Sequence, residues 1–184
     1  AAGDGVQQLF RDLGVQQIVS GGQTMNPSTE DILHAAEQVP AMDVYVLPNN
    51  KNIVMAAEQA ARLARTSGVR RIHVVPTTTI PQGISAMMAY DESAEIKDNV
   101  EAMQEAASRV QSGSVTFAAR DSDYDGHQIK EGELLALENG KVAFTGTDLG
   151  SVTAKVAKDL MREDSQFITL LYGAGVSEEQ AADV

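Results

Sequence analysis

The chain has 184 residues, of which 43% are hydrophobic, and its 26 acidic and 14 basic side chains give a formal net charge of -12. This size supports a buried core in one large domain or two small lobes, whereas the charge disfavours nucleic acid and anionic membrane surfaces as partners. Without cysteine, disulfides, thiolate zinc sites and a cysteine nucleophile are excluded, and without a signal-peptide pattern or membrane-length apolar run we expect a cytoplasmic protein with no membrane insertion.

The first 90 residues alternate between helical and extended patterns. VQQLFRDLG has apolar residues at helical spacing, VQQIVSGG is typical of a short strand, and a helix follows Pro27 with acidic residues in its first turn. MDVYVLP and RRIHVVP are strand patterns on either side of an alanine-rich helix that begins in NNKN. Strands separated by helices pair in parallel, so we predict an α/β lobe over residues 1–91, with a parallel sheet flanked by helices.

The remaining residues predict an α+β lobe over residues 92–184. An amphipathic helix comes first, an antiparallel hairpin is expected near residues 114–146, and DLGSVTAKVAKDLM, SQFITLLYG and SEEQAADV predict a helix, a strand and a helix capped by Ser177. The chain begins without Met and stops in the first turns of that last helix. We therefore expect it to be part of a longer protein, with this lobe incomplete at its C-terminal end.

The string DSDYDGHQIKEGE, residues 121–133, has the alternating aspartates of a calcium loop, followed by Gly126 where such a loop turns sharply. The twelfth position, which needs a bidentate carboxylate, is Gly132, and β-type runs stand where the motif requires helices. A hairpin turn at Asp125-Gly126 accounts for the same residues. We favour the hairpin over the calcium loop and predict no metal site.

Three polar segments, GGQTMNPSTED, PNNKN and PTTTIPQG, each follow a predicted strand and lead into a helix. The carboxyl ends of parallel strands meet at one edge of the sheet, where ligands and partners bind, so the segments predict a shared polar surface. Its candidate residues are Gln23, Thr24, Asn26, Ser28, Asn49, Asn50, Lys51, Asn52, Thr77, Thr78, Thr79 and Gln82. Capping of the following helices explains each loop equally well.

The sequence offers no catalytic constellation. His34, His73 and His127 fall in a helix, a strand and a turn without ligand spacing, so a structural role is the default for each. The P-loop, the nucleophile elbow and the dinucleotide fingerprint are absent from the sequence. We predict no catalytic residue and no cofactor in this chain.

The strings LGVQQIVSGGQTMNPSTEDIL, VLPNNKNIVMAAEQAA and VVPTTTIPQGISAMMAYD closely resemble the C-terminal domain of the fatty acid kinase catalytic subunit family, FakA, also described as YloV-type or dihydroxyacetone kinase-like. The resemblance extends through VSEEQA, almost to the end of the chain. It implies that an N-terminal domain elsewhere binds ATP with Mg²⁺, and that the C-terminal domain docks an acyl-carrying FakB partner. We therefore expect a non-catalytic docking module of a full-length fatty acid kinase.

A fainter similarity, to the DegV-like fatty-acid-binding proteins that include this partner, implies a DegV-like fold of two lobes. Residues 27–31 and 49–52 carry it. Such carriers have a serine-rich loop and a histidine where this chain has PNNKN and Leu171-Tyr172-Gly173, so the groups that hold an acyl carboxylate are replaced. The alternative expectation is an acyl- or small-molecule-binding domain with a cavity between its lobes, and a stand-alone enzyme is a remote third.

Overall fold

The computed structural model describes residues 3–21, 26–124 and 127–184. The chain divides into two compact units, Ala1–Val110 and Gln111–Val184. Each unit combines helices with strands: the first contains a parallel strand pair and the second contains antiparallel sheets. The predicted α/β class with two lobes is thereby confirmed.

The first unit consists of a parallel strand pair and five helices within the described residues. Asp43 lies opposite Arg71 and Val46 opposite Val74 in this pair. In chain order the elements are α1 (Asp4–Asp12), α2 (Thr29–Gln38), β1 (Asp43–Val46), α3 (Lys51–Ser67), β2 (Arg71–Val74), α4 (Ile80–Met88) and α5 (Ile96–Arg109).

The two faces of the β1–β2 pair pack against different helices, because successive side chains along a strand point to opposite sides. Val44 and Ile72 lie in one cluster with buried alanines of α2 and α3. On α3, Ala57 and Ala60 are fully buried, and their small side chains allow the helix to lie close to the strands. Val75 and Met103 belong to a second cluster, formed with α4 and α5.

The helices begin where capping residues occur in the sequence. Ser28 accepts a hydrogen bond from the Asp31 N–H, and the Asp31 side chain in turn accepts one from the Ser28 N–H, which completes a capping box. Ser177 forms the same kind of box with Gln180, so the predicted cap of the last helix is confirmed. Hydrogen bonds from the Ser28 backbone and side chain lower the pKa of Asp31.

The strand predicted for VQQIVSGG was wrong for the described residues 15–21, which are not part of any of the sheets. Gly14 has a φ of 93°, and the Val15 N–H donates to the Phe10 carbonyl at 3.0 Å, so the chain turns back at the end of α1. The alternation of apolar residues is the pattern of a strand. It could not show that the segment faces β1 across a cleft instead of joining it.

The second unit contains a three-stranded antiparallel sheet in the order β3-β6-β7 and a separate β4–β5 pair. Asn139 and Gly140, with φ angles of 49° and 80°, connect β6 to β7 as in a type I′ hairpin turn. Its elements are β3 (Gly113–Phe117), β4 (Ser122–Tyr124), β5 (His127–Ile129), β6 (Leu134–Glu138), β7 (Lys141–Gly146), α6 (Leu149–Leu160) and α7 (Glu178–Ala182).

The predicted antiparallel region is therefore present, although the turn predicted at Asp125-Gly126 lies outside the described residues. Helix α6 covers one face of the sheet, where its Val152 and Val156 pack against Leu134 and Ala136. Residues 166–172 of the strand predicted for SQFITLLYG are extensively exposed in this structure, and they pair with no strand in the described part of the chain.

Helix α5 belongs to the first unit because it packs against α4. The boundary that we drew from the sequence, near Asp91, precedes this helix. Asn99 of α5 is 3% exposed, and it connects the helix to the preceding loop by accepting from the Asp91 N–H and donating to the Asp91 carbonyl. Among the described residues, no helix has both the length and the hydropathy needed to cross a membrane.

The first residues of the two parallel strands are held together by an ion pair. Arg71 donates to both carboxylate oxygens of Asp43, at 2.7 and 2.5 Å, and His73 Nε2 lies 2.8 Å from Asp43 Oδ1. These hydrogen bonds, first from Arg71 and then from His73, hold the pKa of Asp43 well below its usual range. The pair therefore stabilises the fold at any pH at which an unfolded aspartate is ionised.

We expect Asp43→Asn to lower the free energy of unfolding of the first unit by about 1 kcal/mol, because Arg71 is largely exposed and solvent screens its charge. A group with a lowered pKa contributes its stability above the unfolded pKa and loses it as the pH falls further. The difference between variant and wild type should thus be full at neutral pH and shrink below pH ~4.

Urea unfolding, followed by circular dichroism, measures the free energies of unfolding of variant and wild type at neutral pH and again below pH ~4. The control is Glu101→Gln, which breaks the exposed pair with Lys97 at 3.6 Å and should change stability by less than about 0.5 kcal/mol. An equal effect of the two variants, or no pH dependence for Asp43→Asn, would contradict this role of the ion pair.

Candidate functional site

The loops that follow β1 and β2 are joined by a pair of hydrogen bonds between Asn49 and Thr77. The Thr77 hydroxyl accepts from the Asn49 N–H at 3.1 Å and donates to Asn49 Oδ1 at 2.7 Å. Thr77 is 1% exposed, so both bonds are shielded from water. Asn49 has a φ of 55°, in the left-handed region that asparagine tolerates better than most residues.

Gly83 makes room for this arrangement from inside α4. A Cβ atom added at Gly83 would lie 2.1 Å from Asn49 Oδ1 and 2.7 Å from Asn49 Nδ2. Any larger side chain would therefore displace the Asn49 side chain from Thr77. An isolated glycine within a helical pattern often has such a packing reason, and this signal in the sequence could have identified Gly83 as part of the site.

Several candidate residues cap the two helices that start in these loops. Asn50 accepts from the Asn52 N–H at 2.9 Å at the start of α3, and Thr79 accepts from the Gln82 N–H at 3.3 Å at the start of α4. Gln82 Oε1 also accepts from the Thr78 N–H and the Thr78 hydroxyl, at 2.7 and 2.9 Å. Capping thus accounts for much of the polarity of the two loops.

Lys51, Asn52 and Thr78 remain exposed at the N-terminal ends of these helices. We call these three residues the polar rim. Lys51 forms no ion pair with another described residue, and it stands where the N-terminus of α3 contributes its own partial positive charge. The rim is therefore a locally cationic, hydrogen-bonding surface on a protein whose net charge is -12.

The first of the three predicted loops is described in part. Ser28 caps α2 and Asn26 is exposed, whereas Gln23 and Thr24 lie outside the described residues. Gly21 and Pro27, on either side of that gap, border the same cleft as Asn49 and Asn50. All three loops thus reach one cleft, because Ile80 at the start of α4 borders it as well.

This cleft lies within the first unit and has a volume of about 640 Å³. One wall is formed by β1 and the other by the segment over residues 15–19 that follows α1. Most of its lining is apolar, and Phe10, Val15, Ile18, Val44, Ile53 and Met103 contribute to it. Such a volume is in the range of small-molecule sites in proteins.

Tyr45 and Tyr90 border the cleft and belong to a small aromatic cluster. The rings of Tyr45 and Tyr90 meet edge to face with centroids 5.5 Å apart, and the His73 ring is 5.6 Å from Tyr45. Burial is the main cause of the raised pKa of Tyr45, so its hydroxyl stays protonated at neutral pH. Tyr90 is 40% exposed and connects this cluster to the surface.

The histidines that can be described have local partners. His34 Nε2 lies 2.9 Å from Gln38 Nε2 on the same helix, and His73 contacts Asp43. Within residues 3–21, 26–124 and 127–184, no three His, Asp or Glu side chains are grouped so as to hold a metal ion. In the aspartate-rich string, Asp121 accepts a hydrogen bond from the Glu131 N–H at 2.7 Å, which gives it a structural role.

Residues 1–184 match the family of FakA-like C-terminal domains, FakA being one of the subunits of fatty acid kinase. Protein YloV of Bacillus subtilis is 40% identical over 181 residues, which cover 98% of this chain and 32% of YloV. An uncharacterised protein of Staphylococcus haemolyticus is 43% identical over 177 residues, which cover 96% of this chain and 31% of that protein. A Staphylococcus aureus protein is 40% identical over 171 residues, 93% of this chain and 30% of its own length.

The chain therefore belongs to the FakA-like C-terminal family, as the resemblance in the sequence predicted. It spans about a third of the length of the curated relatives that it matches. Family membership thus relates the chain to kinase-type proteins without assigning a role to the chain itself.

We expect Gly83→Ala to lower the free energy of unfolding of the first unit by about 1–3 kcal/mol, because the added methyl group clashes with Asn49. In an ordinary helix the same change is mildly stabilising. Gly5→Ala in α1 is the matched control, since no atom lies within 4 Å of the added Cβ. Chemical denaturation measures both variants, and a stabilising effect of Gly83→Ala would contradict the packing described here.

Proposed function

We propose that this chain is a non-catalytic docking module that recruits an acyl-carrying FakB/DegV-like protein to a kinase domain elsewhere in a full-length fatty acid kinase. The observation that carries the proposal is the polar rim, which the buried Asn49–Thr77 pair holds in place at the starts of α3 and α4. Membership of the family supports the relation to a kinase.

The rim favours an acidic or hydrogen-bond-accepting patch on the partner. Lys51 and the N-terminal N–H groups of α3 both attract negative charge. Because the chain as a whole carries an excess of acidic groups, a cationic spot at the rim also gives the encounter a preferred orientation. Met88, 74% exposed at the end of α4, and Tyr90 supply apolar contact area beyond the polar rim.

The proposal places the chemistry outside this chain. ATP and Mg²⁺ belong to the kinase domain of the full-length protein, where the carboxylate of the partner's fatty acid is phosphorylated. The role of this chain is to position the loaded partner, and a cytoplasmic location follows from that role. The chain alone should show no ATP turnover.

We expect Lys51→Glu to weaken binding of the acyl-loaded partner by about tenfold, mainly through slower association, because reversal of a rim charge removes electrostatic steering. Surface plasmon resonance at two salt concentrations measures both the rate and its salt dependence, which should be smaller for the variant. Lys141→Glu, the same reversal on an exposed residue of β7, is the control and should change affinity by less than about twofold.

Two results would count against the docking proposal. One is an equal loss of binding for Lys51→Glu and Lys141→Glu, which would show a general charge effect instead of a docking surface. The other is phosphorylation of a fatty acid by this chain alone, which would make it an enzyme in its own right.

A second candidate function, an acyl- or small-molecule-binding domain, is favoured by the apolar cleft of about 640 Å³. Our sequence-based expectation placed such a cavity between the lobes, whereas this cleft lies inside the first unit. Apolar walls with a few tyrosine and asparagine groups suit an elongated ligand with an uncharged polar end. The ionised Asp43 that also borders the cleft disfavours a ligand carboxylate beside it.

Native mass spectrometry of protein purified from cells distinguishes the two candidates. Retention of a lipid mass, reduced in Ala35→Phe, would support the second candidate, because Ala35 lines the cleft and a larger side chain narrows it. The docking proposal predicts an apo mass for wild type and variant alike. In that case the cleft serves no lipid, and the second candidate is excluded.

A further inference from the structure

The segment over residues 166–172, QFITLLY, exposes an unusual amount of apolar surface. Phe167 is 90% exposed, Ile168 71% and Tyr172 52%, and Leu170 and Leu171 are 46% and 40% exposed. The composition is that of a strand, with β-branched and aromatic residues and no charge. A segment of this kind is prone to pair with any available strand edge, so it needs a specific partner.

Strand β3 offers such an edge. In the order β3-β6-β7, β3 pairs with β6 on one side, and no described strand pairs with it on the other. Its sequence, GSVTF, contains no charged residue, although natural edge strands that stay free commonly carry one. Phe117, the last residue of β3, is 56% exposed. The outer edge of β3 thus lacks the features that protect a permanently open edge.

Helix α6 leads the chain from β7 towards this edge. Near its start, Val152 lies over Gly146 of β7, with Cγ2 at 2.5 Å from the position of an added Cβ. Near its end, Val156 and Leu160 lie over Gly113 of β3, at 2.3 and 2.8 Å from the corresponding position. The chain therefore leaves α6 on the β3 side of the sheet.

The connection after α6 is short and locally structured. It comprises residues 161–165, within the usual length of a helix-to-strand loop. The Ser165 N–H donates to the Arg162 carbonyl at 3.0 Å, and the Arg162 N–H donates to Ser165 Oγ at 2.9 Å, so the chain turns directly after the helix. A strand that followed this turn would start close to the sheet.

The direction of such a strand is also determined. β3 and β7 are both antiparallel to β6, so they are parallel to each other. A strand that follows β7 through a helix and returns to the same sheet runs parallel to β7, and therefore parallel to β3. The β7-α6-segment order is the usual crossover unit of a parallel connection.

We propose that residues 166–172 leave the exposed position that they have in this structure and pair in parallel with the outer edge of β3 as a fourth strand, in the order segment-β3-β6-β7. The free backbone groups on the outer edge of β3 then form hydrogen bonds with residues 166–172 of the same molecule. The proposal is independent of the docking function, but it narrows the surface available to a partner. Once residues 166–172 are paired with β3, they no longer offer an apolar surface to a partner.

Cysteine pairs test the proposal, because the chain contains no native cysteine. Thr116→Cys on β3 is combined in turn with Ile168→Cys, Leu170→Cys and Tyr172→Cys, which samples neighbouring registers. The control combines Ala143→Cys on β7 with the same three substitutions. After mild oxidation of the 184-residue chain, disulfides are identified by mass spectrometry of the intact chain and of its peptides.

We expect one of the three Thr116 pairs to form an intramolecular disulfide about tenfold faster than any Ala143 pair, because paired strands hold their Cα atoms within disulfide reach. Equal rates at both edges, or faster reaction at β7, would overturn the proposal. So would disulfides that form between two molecules, since they would show that a second copy occupies the edge.

Hydrogen exchange provides a second measurement without substitutions at the edge. Amides of residues 166–172 should exchange at least about tenfold more slowly than in an unstructured peptide. Leu170→Pro, which removes a ladder N–H, should lower the Tm of the second unit by several degrees more than Leu170→Val does. Exchange at unstructured rates, or equal Tm values for the two variants, would show that the segment is not a strand.

Discussion

The site of this protein depends on one buried interaction, the pair of hydrogen bonds between Asn49 and Thr77. It joins the loops that leave two parallel strands, and it requires both a left-handed backbone at Asn49 and the absence of a side chain at Gly83. Because the Thr77 hydroxyl is shielded from water, loss of either partner would leave a buried polar group unsatisfied. The pair thereby holds together the two loops in which α3 and α4 begin, and with them the polar rim.

Polar residues at the ends of these strands divide into two groups with different roles. Asn49 and Thr77 face each other in the interior, whereas Lys51 and Thr78 face solvent beside them. Asn49 and Thr77 hold the two loops together, and Lys51 and Thr78 remain available to a partner. From the sequence alone, helix capping and partner binding were competing explanations of these polar loops. In the structure, different residues of the same loops are placed for each role.

The sequence predicted local features better than non-local ones. The helices and their caps at Ser28 and Ser177 follow from interactions within a few residues, and the convergence of the loops after β1 and β2 on one cleft follows from parallel pairing. The strands predicted for VQQIVSGG and SQFITLLYG were not observed in the described residues, because strand pairing depends on a distant partner that apolar alternation cannot specify. The inward orientation of Asn49 likewise depends on Gly83, 34 positions further along the chain.

Hydrogen exchange of this chain with and without the acyl-loaded FakB/DegV-like protein is the most direct measurement of the central claim. The account predicts that the partner slows exchange at the N-terminal turns of α3 and α4, around Lys51 and Thr78, and leaves the second unit unchanged. Protection confined to residues 111–184, with no change at the polar rim, would contradict it.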